Sequence, residues 1–284
     1  MAKKRPHRKG TSKTGKSERR QSNSARRPML GSEKVKENSE EVGMRLNKYV
    51  AHCGVCSRRQ AADHIKNGLV EVNEKTVLEP FYQVQVGDII SFKGTPIKPE
   101  IRKVYFLMNK PKNTITTTSD EKGRKTVMDI IKSKVPERVF PVGRLDRMTT
   151  GLLLLTNDGD LAQKMMHPSY SMKKIYHVHL DQPVASQDIE AIRKGFVLDD
   201  GHVQVDEVGY LEGMPGKRDV GVTIHIGRNR IVRRIFEHFG YQVERLDRVY
   251  LGGLTKKDLP RGFVRPLKQQ EVIMLKHFSG KSKS

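Results

Sequence analysis

The spacing of apolar residues divides this 284-residue chain into stretches of different character. Up to about Gly43 apolar positions are scarce and show no period, so no element is expected there. From Arg45 to His52, Leu46, Tyr49 and Val50 fall at helical spacing, and Gly54 is a natural stop. Ser57 with Gln60 three residues later forms a capping-box signature. The helix it opens buries Ala61, Ala62 and Ile65 and ends at Asn67-Gly68. Strands follow around Val70 and Val77, with Gly87-Asp88 in a turn. Between Lys93 and Lys103 the apolar pattern lapses into Gly94, Pro96, Pro99 and basic residues, the composition of a linker.

From Val104 the pattern becomes strand-rich. Val104–Lys110 reads as a strand, Thr126–Ile131 as a short helix or strand, and Val139–Val142 as a strand leading into a loop. Leu152–Leu155 is too short and too uniformly apolar for an exposed helix; it predicts a buried strand closed by the turn Asn157-Asp158-Gly159. Asp160–His167 is helical and stops at Pro168, Ile175–Leu180 alternates as a strand, and Ser186 caps a helix to Lys194-Gly195. Strands recur at Val203, Val220–Ile226 and Val243–Tyr250, with a helix over Asn229–Phe239. Without a regular βαβ repeat, the expectation is an α+β protein with a largely antiparallel sheet. The expected organisation is an arm (1–43), a small helix-rich module (44–92), a linker (93–103), a larger domain (104–278) and a short tail (279–284).

Charge changes this picture. Lys and Arg number 54 against 32 Asp and Glu, a formal net charge of +22. Such an excess calls for a polyanionic partner, because each phosphate contact releases condensed counterions. No apolar run is long enough to span a bilayer or to form a signal-peptide core, so nucleic acid rather than membrane is expected, in a cytoplasmic protein. The arm, with KKRPHRKG and SERRQSNSARR, is too polar to offset its ordering entropy and is expected to be a disordered RNA tether. Arg45 and Lys48 project from the first helix of the module, and Arg58, Arg59 and Lys66 from the second, a basic face suited to RNA phosphates. Cys53 and Cys56, even with His52 and His64 nearby, lack the second pair that a structural zinc site takes; free packed thiols and no metal are expected.

The candidate chemistry lies in Arg144-Leu145-Asp146-Arg147, a carboxylate between two guanidinium groups on a loop braced by core strands. Taken alone, it would be a structural ion pair in a turn. However, GRLD at 143–146 with TTGLLLLTNDG at 149–159 closely resembles the catalytic motif of pseudouridine synthases of the RsuA/RluB type. The segments RLNKYVA and SRRQAADHIKNGLVEVN resemble the S4 RNA-binding domain. A third segment, GRNRIVRRIFEHFGYQVERLDRVYLGG, and the element Lys174-Ile175-Tyr176 extend the resemblance to the synthases.

The resemblance implies that a uridine of ribosomal RNA, of the large subunit, is isomerised to its C-glycoside. That reaction breaks the N1–C1′ bond and rejoins the base through C5, with no redox change, so no cofactor is expected. Asp146 is implied as the essential carboxylate, Arg233 as its basic partner and Tyr176 as an aromatic platform for a flipped base. Arg144, Lys174, Arg230 and Leu246 are expected to contact the substrate. On a helix, Val232 and Ile235 would face the core, leaving Arg230 and Arg233 three residues apart on one side. An aspartate with an ordinary pKa of about 3.9 is ionised at neutral pH and serves as nucleophile or base. A monomer is expected.

Overall fold

A computed structural model describes residues 43–100, 102–132 and 134–277. The expected basic arm and the tail lie outside the described residues. The helical spacing near the N-terminus yields α1 (Leu46–His52) and α2 (Arg58–Lys66). The capping box is formed: Gln60 N–H donates to Ser57 Oγ at 3.3 Å, and Ser57 N–H donates to Gln60 Oε1 at 3.1 Å. The helices pack on β1 (Val70–Val72), β2 (Lys75–Thr76), β3 (Ile90–Phe92) and β4 (Thr95–Pro96), a sheet of order β2-β1-β3-β4. Thr95 and Pro96, placed in a linker by composition, thus pair with β3; an edge position tolerates the proline. Cys56 is buried in this small core, and Cys53 packs against it.

The larger part runs through β5 (Tyr105–Lys110), α3 (Val127–Ile131), β6 (Phe140–Val142), β7 (Thr150–Thr156), α4 (Gly159–Met166) and β8 (Lys174–Leu180). It continues through α5 (Ser186–Lys194), the hairpin β9 (Phe196–Leu198) and β10 (Gly201–Val203), β11 (Glu207–Tyr210) and β12 (Asp219–Ile224). Last come α6 (Ile231–His238), β13 (Val243–Leu251), β14 (Leu254–Thr255), β15 (Val264–Pro266) and α7 (Gln269–His277). The main sheet follows the order β11-β12-β8-β13-β7-β5-β15, with β6 also on β7 and β14 on β13. The pairings between these strands are antiparallel except β13 with β7, where Asp247 faces Thr150 and Arg248 faces Gly151. The α+β class and the largely antiparallel sheet are therefore as the sequence predicts.

The uniform Leu152–Leu155 run has a direct explanation. Leu153 and Leu155 pack into one core with Val178, Val222 and Phe236, while Leu152 and Leu154 pack into a second with Leu107, Leu161 and Leu275. A strand covered on both faces loses its alternation. Ser186 is the first residue of α5 rather than its cap, which falls at Ala185 without a side-chain bond. The small module meets the larger part through Lys48, whose ammonium lies 2.8 Å from Asp160 on α4, and through Glu100 N–H, which donates to His52 O at 2.9 Å. No helix of the described residues is long and apolar enough to cross a membrane.

Candidate active site

Asp146 sits on the loop between β6 and β7, and that loop is held from three sides. Leu145 is buried in the core, and its backbone is clamped by Thr116: the Thr116 hydroxyl donates to Leu145 O at 2.8 Å and accepts from Leu145 N–H at 3.2 Å. Thr149 N–H donates to Asp146 O at 3.1 Å, closing the turn. Beneath it lies Lys110, the last residue of β5 and fully buried. Its ammonium donates to Thr149 O at 2.8 Å and to Asp146 O and Pro111 O at 3.1 Å, with Arg147 O at 3.4 Å. Burial pushes this ammonium down to about 8, opposed by the Asp146 charge and assisted by Arg261 and Arg248. The Asp146 backbone is thus fixed while its side chain remains 40% exposed.

The cationic partners come from α6. Arg230 caps that helix in a left-handed conformation (φ 46°). Arg230 Nη1 and Arg233 Nε each lie 3.9 Å from Asp146 Oδ2. At that separation they are ion pairs, beyond hydrogen-bond range. The two differ in setting. Arg233 is 10% exposed and anchored by Nη1 donating to Val243 O at 2.7 Å, whereas Arg230 is 45% exposed and shared with Glu237 at 3.2 Å. Burial, then Arg230, lowers the pKa of Arg233, against Asp146 and Glu237. Arg228 and Arg234 of the same motif turn instead to Asp200, and Arg234 also to Asp199.

Strand register assembles the floor. Lys110 pairs with Gly151, Gly151 with Arg248, and Arg248 with Tyr176, so one row crosses four strands. Gly151 is required there, since a Cβ would lie 2.3 Å from Arg248 O and 2.5 Å from Arg248 N, backbone atoms that cannot give way. Tyr176 and Leu246 are buried in the same core cluster as Leu145, Ile231 and Val232. Arg248 is buried, with Nε donating to Leu152 O at 2.7 Å and Nη2 without a hydrogen-bond partner among the described residues.

Lys174, two residues before Tyr176, donates to His225 O at 2.8 Å, and burial followed by Arg248 pushes it down to about 8 against Asp206. Its ammonium is thus engaged with the backbone after β12. Arg144 is exposed. In the small module Arg45, Arg58, Arg59 and Lys66 are exposed, whereas Lys48 is committed to Asp160.

Sequence reasoning passed over Lys110, Thr116, Arg248 and Asp247. Asp247 accepts from Arg261 Nη1 (2.8 Å) and Nη2 (3.2 Å), Thr150 Oγ1 (2.9 Å) and Lys256 Nζ (2.5 Å). Burial would raise its carboxyl, but these bonds pull it down to about 2. The one signal was Lys110 itself, a lysine ending a strand that is apolar up to Met108. Among the described residues, no group of three or more His, Cys, Asp and Glu side chains is arranged to hold a metal ion.

Residues 104–238 match the family described as RNA pseudouridylate synthase, and residues 44–90 match the S4 domain. The ribosomal large subunit pseudouridine synthase B of Bacillus subtilis (strain 168) is 39% identical over 242 residues, 84% of this chain and 98% of that protein. An RNA pseudouridine synthase of Aquifex aeolicus (strain VF5) is 38% identical, over 82% of this chain and 93% of its own length. A crystal structure of a pseudouridylate synthase superimposes with a TM-score of 0.59 at 28% identity, covering 82% of this chain and 99% of that one. With such identity running along almost the whole of the Bacillus protein, the chain belongs to the RNA pseudouridylate synthase family.

Proposed function

We propose that this synthase converts one uridine of large-subunit ribosomal RNA to pseudouridine, with Asp146 as the carboxylate that meets the reacting nucleotide. The observation that carries the assignment is the state of that side chain. It sits on a loop whose backbone is immobilised by Lys110 and Thr116, yet no hydrogen bond from the described residues engages its own oxygens, and two guanidinium groups stand 3.9 Å away. A carboxylate so placed is oriented and free to approach C1′ or C6, or to remove a proton.

Arg233, anchored and largely desolvated, supplies fixed positive charge where negative charge develops as the N1–C1′ bond opens. Arg230, more exposed, serves the phosphate or the outer edge of the nucleotide. Tyr176 and Leu246 form the aromatic and aliphatic floor for a flipped uracil, which recovers part of the stacking lost from the RNA. Arg144 and Lys174 flank this floor as substrate contacts, and Arg45, Arg58, Arg59 and Lys66 bind the RNA backbone with the small module. No cofactor is required by the atom balance of the isomerisation. A cytoplasmic, monomeric enzyme is part of the same reading.

The large-subunit assignment draws on the name of the Bacillus relative. Carbodiimide mapping of ribosomal RNA from a deletion strain tests it. One pseudouridine in large-subunit RNA should vanish and return with the wild-type gene but not with Asp146→Ala; an unchanged map would refute the reading.

A further inference from the structure

A cleft of 360 Å³ opens between the small module and the larger part, lined from one side by α1 and the start of α2 and from the other by Lys103, Arg138, Phe140 and the start of α4. It is not the site of Asp146. Asn157, Gly159 and Asp160 on its wall follow the last residue of β7, whereas Asp146 precedes the first, and seven residues of strand separate the ends by roughly 20 Å.

Four fixed cations line it, Lys48, Arg58, Lys103 and Arg138, against two carboxylates, Glu100 and Asp160. Asp160 is already paired with Lys48 at 2.8 Å. Arg58, Lys103 and Arg138 are exposed and enter no salt bridge among the described residues. His52 on the wall has its pKa lowered by burial first, then by Lys103 and Lys48 and, less, by Arg58, against Asp160. Between the cations the cleft is lined by Ala51, Val139 and the partly buried Phe140, together with the polar Ser57, Thr118, Asn157 and Gln163. Unpaired cations around an aromatic and aliphatic wall suit a ligand that carries a phosphate and a flat face, and the volume falls within the range of pockets that enclose small ligands.

We propose that this interdomain cleft binds a single unpaired nucleotide of the RNA substrate, with its phosphate on Lys103, Arg138 and Arg58 and its base against Phe140. This rests on the RNA-modifying reading above and extends it. The RNA is then gripped at a second point, roughly 20 Å from the reacting uridine, by residues that the small module and the larger part contribute jointly. The small module is accordingly half of a composite site rather than a separate tether.

Two measurements on the full chain test this. With Phe140 replaced by photoreactive p-benzoylphenylalanine, irradiation with substrate RNA should join the protein to one unpaired nucleotide away from the target uridine. Crosslinks scattered over the RNA, or none, would overturn the proposal. So would equally strong crosslinking to free uridine or adenosine monophosphate at the concentration of the RNA, since the ligand would then be a free nucleotide.

The second measurement compares charge reversals. Lys103→Glu with Arg138→Glu should raise KM for RNA about tenfold or more at unchanged kcat, while Lys194→Glu with Lys257→Glu, an equal change in charge on exposed surface elsewhere, should raise it less than about threefold. Equal losses in both pairs would reduce the cleft to general basic charge. Pseudouridine formation by the wild type on the same RNA reports separately on the enzymatic reading, so an inactive wild type with an intact single crosslink would break that reading and leave the cleft standing.

Discussion

Asp146 and Asp247 lie at the same end of the parallel β7–β13 seam, and their environments are opposite. Asp247 is 14% exposed and takes hydrogen bonds from Arg261, Lys256 and Thr150. Asp146 is 40% exposed, and its nearest cations stand off at 3.9 Å. In the first case the side chain is fixed by its own bonds. In the second the backbone is fixed, by Lys110 and Thr116, and the carboxylate is left unspent. A saturated carboxylate holds strands together; one oriented through its backbone alone can still react. The buried cations divide likewise, since Lys110 is used up on carbonyl groups while Arg233 keeps Nε toward Asp146.

The largest effect outside Asp146 itself is expected at Arg233. Arg233→Ala strips a desolvated partner from the site and the anchor on Val243 O, and should cost about 3–5 kcal/mol of stability together with most of the activity. Arg230→Ala, on the exposed side, should cost less than about 1 kcal/mol. Denaturant titration and turnover of the two variants would break the contrast if they came out equal.

Asp247→Asn should cost about 2–3 kcal/mol, because Arg261 and Lys256 lose their counter-charge, while turnover per folded molecule stays near wild type. Its folded pKa lies below the ordinary carboxylate value, so the stabilisation is present above about pH 4 and disappears as pH falls through about 2. Acid denaturation of the variant should lack that component.

Lys110 responds at the other end of the scale. Its pKa is depressed to about 8, so between pH 8 and 10.5 the unfolded chain binds more protons than the folded one. Measured against Lys110→Met, wild-type stability should therefore rise across that window, while turnover declines above about pH 8 as the ammonium loses a proton that grips the loop. A flat difference would detach Lys110 from the titration. The smallest effect is expected from Tyr176→Phe, which keeps the ring: stability and KM should change little, and a loss in kcat beyond about tenfold would assign the hydroxyl to proton transfer.

Much of this was legible in the sequence. The Leu152–Leu155 run announced a buried strand, Ser57 and Gln60 announced a cap, and the spacing of Val232, Ile235 and Phe236 announced the buried face of α6, although Arg230 falls at its left-handed cap rather than on the helix beside Arg233. The weak elements were not readable. The strand β11 has four residues, and α7 buries only Leu275, so neither carries a strong period. Lys110, Arg248 and Asp247 were invisible for a different reason. Their importance comes from strand register, which aligns Asp247 with Thr150 and Arg248 with Gly151 from distant parts of the chain, and no local pattern encodes that. For the same reason Lys48 read as a phosphate contact, although α4 supplies Asp160 to it.

The most direct test of the central contrast is single-turnover pseudouridine formation by Asp146→Asn and Asp247→Asn, each normalised to its folded fraction and to bound RNA. Asp146→Asn should bind RNA as the wild type does and lose at least about a thousandfold in rate, while Asp247→Asn should lose stability but retain its rate. Substantial turnover by Asp146→Asn, or a comparable rate loss in Asp247→Asn, would contradict the assignment of the unspent carboxylate as the reactive one.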